Sequence, residues 1–199
     1  TAINVLNPRF TSLHGYGDSI EFKNLFMQSL SIIAYLSFGI ATIVGILCRD
    51  FIIIWVGTDF LEAVPVLWIL VVCLTAATCQ SSSIPALYAL NKHHFLAVTN
   101  IVEGVANLLL SILLAPRYGI IGVALGTAIP LLLNKIIANP LYVTRILKIS
   151  LSQYFAPLLP PLTLAVGLVF FSVLLPSSGL LSEGIISLVI RAFSYALAF

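Results

Sequence analysis

Residues 95–135 read FLAVTNIVEGVANLLLSILLAPRYGIIGVALGTAIPLLLNK, two apolar runs on either side of the turn-forming residues Pro116, Arg117, Tyr118 and Gly119. The first run, 95–115, would extend about 32 Å as a helix at about 1.5 Å per residue, enough for a hydrocarbon core of about 30 Å. The second starts at Ile120 and can continue to about residue 146, long enough to project beyond the bilayer or tilt in it. The quoted stretch holds three charged residues, Glu103, Arg117 and Lys135. It reads as an antiparallel pair of transmembrane helices joined by a tight turn.

The rest of the chain has the same character. Of its 199 residues 60% are hydrophobic and 8% charged, and the mean hydropathy is +1.14. Soluble domains carry about 25% charge, so this chain cannot cover a water-facing surface. A net charge of +2 excludes a basic nucleic-acid binder. Cys48, Cys73 and Cys79 lie in apolar surroundings without CxxC spacing, which indicates neither a disulfide framework nor a zinc site. No basic segment with a cleavable apolar stretch follows Thr1, so no signal peptide is expected within this stretch. The last apolar run, 185–199, would cover only about 22 Å. The chain is therefore expected to be a fragment, cut at both ends.

About six spans are expected. The first is 25–48, free of charge and ended by Arg49 and Asp50, with FIIIWVG at 51–57 lying in the interface. Asp59 and Glu62 stand at capping-box spacing and open a second span, 63–90. Gln80, Ser81, Ser82, Ser83 and Pro85 predict a kink in its later half, where hydroxyls can satisfy freed carbonyls. Asn91, Lys92, His93 and His94 form a polar turn into the third span, and the fourth follows Gly119. A fifth, about 157–175, opens with Pro157, Pro160 and Pro161; PSSG at 176–179 is a turn, and the sixth begins near Ile185. Residues 1–24 form a cytoplasmic connection with an amphipathic stretch, and 25–199 a transmembrane lobe.

Alternation puts 1–24, 91–94 and 145–154 on one face. That face carries about five basic residues, Arg9, Lys23, Lys92, Arg145 and Lys148, against about two, Arg49 and Arg117, on the other. The positive-inside rule makes it cytoplasmic, in a multi-pass protein of the cytoplasmic membrane with both ends of the chain inside.

An ionisable group at mid-bilayer costs about 2.5–3.5 kcal/mol on insertion scales and needs a partner. Glu103, Lys135 and Arg191 lie within spans; Arg191, about six residues into the sixth, is expected to snorkel. Asn100, Glu103, Asn107 and Ser111, spaced by three, four and four, share one helix face that must look towards protein or water. Interhelical hydrogen bonding and a role in transport both account for that stripe. A turn centred near Arg117 and Tyr118 puts Glu103 level with about Leu132, one turn from Lys135, and predicts a Glu103–Lys135 ion pair. Gly122 and Gly126 form a GxxxG beside Thr127 that permits close helix approach. His93 and His94 read as solvated turn residues, because adjacent histidines lack the i, i+4 geometry of a helical metal site. Trp55 and Trp68 read as interfacial or packing residues. No nucleophile stands with a base and an orienter at credible spacing.

The order of NVLNPRFTSLHGYGD, FIIIWVGTDFLEAVPVLWILV and LYALNKHHFLAVTNIVEGVANLLLSILLAPRYGIIGVALGTAI, followed by a proline-led span, resembles the C-terminal half of polysaccharide (oligosaccharide) flippases. These belong to the exporter superfamily that also contains multidrug extruders and lipid II flippases. The resemblance implies an all-α bundle forming the second lobe of a V-shaped, two-lobe flippase, which moves a lipid-linked oligosaccharide on an undecaprenyl-type carrier by alternating access. It also implies a first lobe of the same chain and membrane lipids as partners, no resident cofactor, and a coupling ion, Na+ or H+. The positions it nominates for a cation are Asn107, Thr127 and Glu103, the last in competition with pairing to Lys135. A multidrug or small-cation antiporter is the alternative. A membrane-embedded glycan-processing enzyme is disfavoured, because no connection between spans exceeds about 14 residues.

Overall fold

The computed structural model describes residues 2–16 and 19–174. Helix α1 is Ala2–Tyr16 and α2 is Ser19–Trp55. With 37 residues, α2 is about 55 Å long and outreaches a bilayer core. It runs unbroken through Arg49 and Asp50, so residues 51–55 are its last turns and not a separate interfacial segment. The reason is local: residues 49–56 contain no proline or glycine, and Ile52 is buried. The helix stops at Gly57, whose φ of 105° lets its N–H donate to the Ile52 carbonyl at 3.0 Å.

A single 3-10 turn, Thr58–Phe60, leads into α3, Ala63–Cys79. The expected capping box is not made. Glu62 has helical backbone angles and no side-chain cap bond, because the incoming turn supplies backbone acceptors, with Leu61 N–H donating to Thr58 O at 3.3 Å and Val64 N–H to Leu61 O at 3.1 Å. The kink expected after Gln80 is a full break: residues 80–82 turn, and α4, Ser83–Ala89, begins with Pro85 in its first turn, where a missing donor costs little.

Asn91, at φ 56°, reverses the chain into α5, His93–Leu133. Inside α5, Gly119 has φ 57° and ψ −136°, a conformation essentially reserved for glycine, and there the helix folds back on itself. Its arms, 93–118 and 120–133, are antiparallel, as the sequence predicts. The second arm continues through a π-helical turn, Asn134–Ala138, into α6, Asn139–Leu147. The fifth span starts earlier than its prolines suggest. Ser150 and Gln153 form a reciprocal capping box that opens α7, Leu151–Phe155, and a 3-10 turn, Ala156–Leu158, passes into α8, Leu159–Leu174.

The buried core lies at the end of the bundle where α1, α2, α4, α6 and α7 meet. Phe10 packs on Phe22 with ring centroids 5.0 Å apart, and Phe26 lies 6.1 Å from Tyr154. Trp68 of α3 packs on Gly45 of α2, where an added Cβ would come within 2.9 Å of the indole. Trp55, by contrast, is exposed. Long apolar side chains of the first arm of α5, among them Ile101, Leu108 and Leu113, are more than 60% exposed, an outward face suited to lipid and not to water. Among the described residues four helical stretches are long and apolar enough to cross a membrane, Ser19–Trp55, Ala63–Ala89, His93–Leu147 and Leu151–Phe170, and the third contains the reversal at Gly119. The chain is an all-α, polytopic membrane bundle. The turn at 176–179, the sixth span and Arg191 lie outside the described residues.

Candidate functional site

The two arms of α5 meet through small residues. A Cβ on Gly122 would overlap the Leu114 carbonyl, and one on Gly126 would lie 2.6 Å from the Ser111 amide nitrogen. Glycine at both positions is therefore what lets the arms touch, and the GxxxG acts within the hairpin.

That contact gathers four oxygens. Ser111 Oγ donates to Asn107 Oδ1 at 3.1 Å, with Val123 O at 3.5 Å; Thr127 Oγ1 donates to Asn107 Oδ1 at 3.2 Å, with Val123 O at 3.3 Å. Each hydroxyl has one proton and two acceptors in reach, so the cluster holds more lone pairs than protons. The separations are those of ordinary hydrogen bonds, and the surplus lone pairs are what a small cation could use. Asn107 and Ser111 lie on one face of the first arm, as their spacing predicts, and Thr127 joins them from the second arm. The backbone carbonyl of Val123 is an addition that no side-chain pattern reveals.

One turn away, Glu103 accepts a hydrogen bond from Asn134 Nδ2 at 2.5 Å. The expected ion pair with Lys135 is not formed. The reversal falls on Gly119, so Glu103 faces the residue just before Lys135, and the short amide of Asn134 reaches the carboxylate directly. The pair lies in an apolar groove of ≈ 340 Å³ between the arms, walled by Val98, Val102, Leu133 and Ile137. Asn100 remains exposed and makes no hydrogen bond with the described residues.

Lys135 looks the other way, into a cavity of ≈ 20 Å³ that Gln80, Ser83, Asn134 and Asn139 also line. Beside it is a buried hub that the sequence reading missed. Asn139 Nδ2 donates to Gln80 Oε1 at 3.1 Å and lies 3.3 Å from Ser83 Oγ, while Tyr154 O–H donates to Gln80 Oε1 at 3.2 Å. The hub ties the α3–α4 break to α6 and α7. The sequence assigns the serine hydroxyls to freed carbonyls of their own helix; the break instead lets Gln80 and Ser83 bond across helices. Asn134 and Asn139 are five residues apart, a spacing that scatters them in an α-helix and that a π turn brings back towards one side. His93 stacks on Tyr88 at 5.7 Å, and no group of three or more metal-ligating side chains assembles among the described residues.

Comparison with known proteins adds one relative. The chain is similar to a membrane protein. Over 171 residues, 83% of this chain, it is 28% identical to the uncharacterized membrane protein EpsK of Bacillus subtilis (strain 168). The matched part is 33% of EpsK, so the chain spans about a third of the length of that curated relative. No family model and no solved structure matches the chain.

Proposed function

We propose that this chain is the second lobe of a flippase that carries a lipid-linked oligosaccharide, on an undecaprenyl-type carrier, across the cytoplasmic membrane for surface polysaccharide synthesis. The observation that carries the reading is the oxygen cluster of Asn107, Ser111, Thr127 and Val123, built at mid-span between two helix arms where polar groups are expensive unless they serve packing or transport. Two lobes rocking about a midplane site would give alternating access. The first lobe would come from the same protein; EpsK, at three times the matched length, has room for one. The cluster would hold the coupling cation, Na+ or H+, with Glu103 one turn away as a nearby charge. The basic face would lie in the cytoplasm. No catalytic step is assigned to any residue.

The test is reconstitution of the full-length protein in proteoliposomes with a fluorescent undecaprenyl-pyrophosphate glycan, following its exposure to an impermeant glycan-cleaving enzyme. Gradient-dependent flipping that loses its ion dependence in Asn107→Ala is the expected outcome. A second reading, export of lipophilic cations, draws on Glu103 at the floor of the apolar groove. Gradient-driven ethidium movement without glycan flipping would favour it.

A further inference from the structure

At the basic end of the bundle, α1, the start of α2 and the end of α6 enclose a pocket of ≈ 380 Å³. Leu13, Phe22 and Leu147 form an apolar wall, and His14, Lys23 and Lys148 stand around it. Two connections far apart in sequence, 1–24 and 145–154, supply these residues, both from the face that alternation groups together. Neither lysine has an ion-pair or hydrogen-bond partner among the described residues. Glu21, two residues before Lys23, projects from a different side of α2. Lys148 is fixed by its backbone: it ends α6 at φ 52° and ψ 51°, with its N–H returned to the Thr144 carbonyl. Lys23 is half-buried on the first turns of α2, so part of its stem is already desolvated.

We infer that this pocket binds an anionic phospholipid of the surrounding bilayer, its phosphodiester between Lys23 and Lys148 and its glycerol and upper acyl carbons along Leu13, Phe22 and Leu147. Charge complementarity selects the head, since two ammonium groups with no partner among the described residues leave, at a membrane interface, a positive field that a zwitterionic head would only partly neutralise. The apolar wall selects a lipid over a free phosphate, which would leave that wall wet. Basic pockets between transmembrane helices are the physical form such sites take. The site lies at the end of the bundle, away from the oxygen cluster, and stands whether or not the transport reading does.

Native mass spectrometry of the purified full-length protein, incubated with phosphatidylglycerol, phosphatidylcholine or glycerol 3-phosphate, tests it. Phosphatidylglycerol is expected to be retained at least tenfold over phosphatidylcholine, and glycerol 3-phosphate at equal concentration not to displace it. Lys23→Gln/Lys148→Gln is expected to lower retention by roughly 25-fold, about fivefold per lysine, with Arg117→Gln at the other face unchanged. Equal retention of the two lipids, full retention by the double variant, or displacement by glycerol 3-phosphate would each overturn the inference. If the double variant does not purify, the lipid comparison and the competition on the unaltered protein decide it.

Discussion

A single oxygen organises the hairpin at the residue scale. Asn107 Oδ1 accepts from both Ser111 and Thr127, so one amide joins the two arms. Thr127→Val keeps the shape and removes the proton donor. Because intramembrane hydrogen bonds are worth about 0.6 kcal/mol on average, the variant should remain folded, with thermal stability changed by less than about 1 kcal/mol. Its transport should nonetheless lose dependence on the ion gradient, and retention of that dependence would reduce the cluster to packing. Glu103 offers a sharper comparison. Glu103→Gln keeps an acceptor for Asn134, whereas Asn134→Leu strands a carboxylate in an apolar groove, so the second should destabilise by more, about 1–3 kcal/mol beyond the first. Since Lys135 does not contact Glu103, the Glu103→Gln and Lys135→Met defects should add within about 0.5 kcal/mol in melting experiments. Strong non-additivity would restore the ion pair.

The hairpin depends on two kinds of glycine at the scale of the element. Gly119 makes the reversal through its backbone angles, and Gly126 permits contact through its missing side chain. Gly119→Ala is expected to cost about 1–3 kcal/mol by strain, and Gly126→Val a similar amount by forcing Ser111 away. Both should appear as lowered melting temperatures in fluorescence-detected size exclusion, and an unshifted melt of either would contradict its account. The π turn at Asn134–Ala138 amounts to one extra residue between two correctly registered segments, one holding Asn134 against Glu103 and the other Asn139 against Gln80. Deleting Ile137, which is half exposed, should therefore be tolerated in expression and melting. Deleting Ile121, in the close-packed arm, should not, because Gly122 and Gly126 would then turn away from Leu114 and Ser111.

Across the whole molecule, basic residues gather at the end where the core is built. Arg9, Lys23, Lys92, Arg145 and Lys148 belong to connections that the fold brings to one end, and the pocket lined by Lys23 and Lys148 lies where the first and last of them meet. With that end in the cytoplasm, a cysteine replacing His94 should resist an impermeant maleimide in intact cells and one replacing Tyr118 should react. The reverse pattern would invert the topology.

Solvent and fold class were legible in the chain before it folds: an 8% charge content admits only lipid around these helices, and uncharged runs of bilayer length admit only spans. The turn at 116–119 and the shared helix face of Asn107 and Ser111 were legible too, since helix periodicity and turn residues are local, whereas the reach of Thr127 across to Asn107 was not. The rest follows from contacts between segments distant in the chain. Whether Glu103 meets Lys135 or Asn134 depends on a one-residue register set by where Gly119 reverses the chain. The Gln80–Ser83–Asn139–Tyr154 hub needs a broken helix, a π turn and a capped α7 to coincide, and residues up to 74 positions apart carry no local pattern that announces their meeting. The same holds for the extension of α2 past Asp50 and the idle capping box at Glu62: single charges and short motifs are weak local preferences, and continuous backbone hydrogen bonding and burial of Ile52 outweigh them.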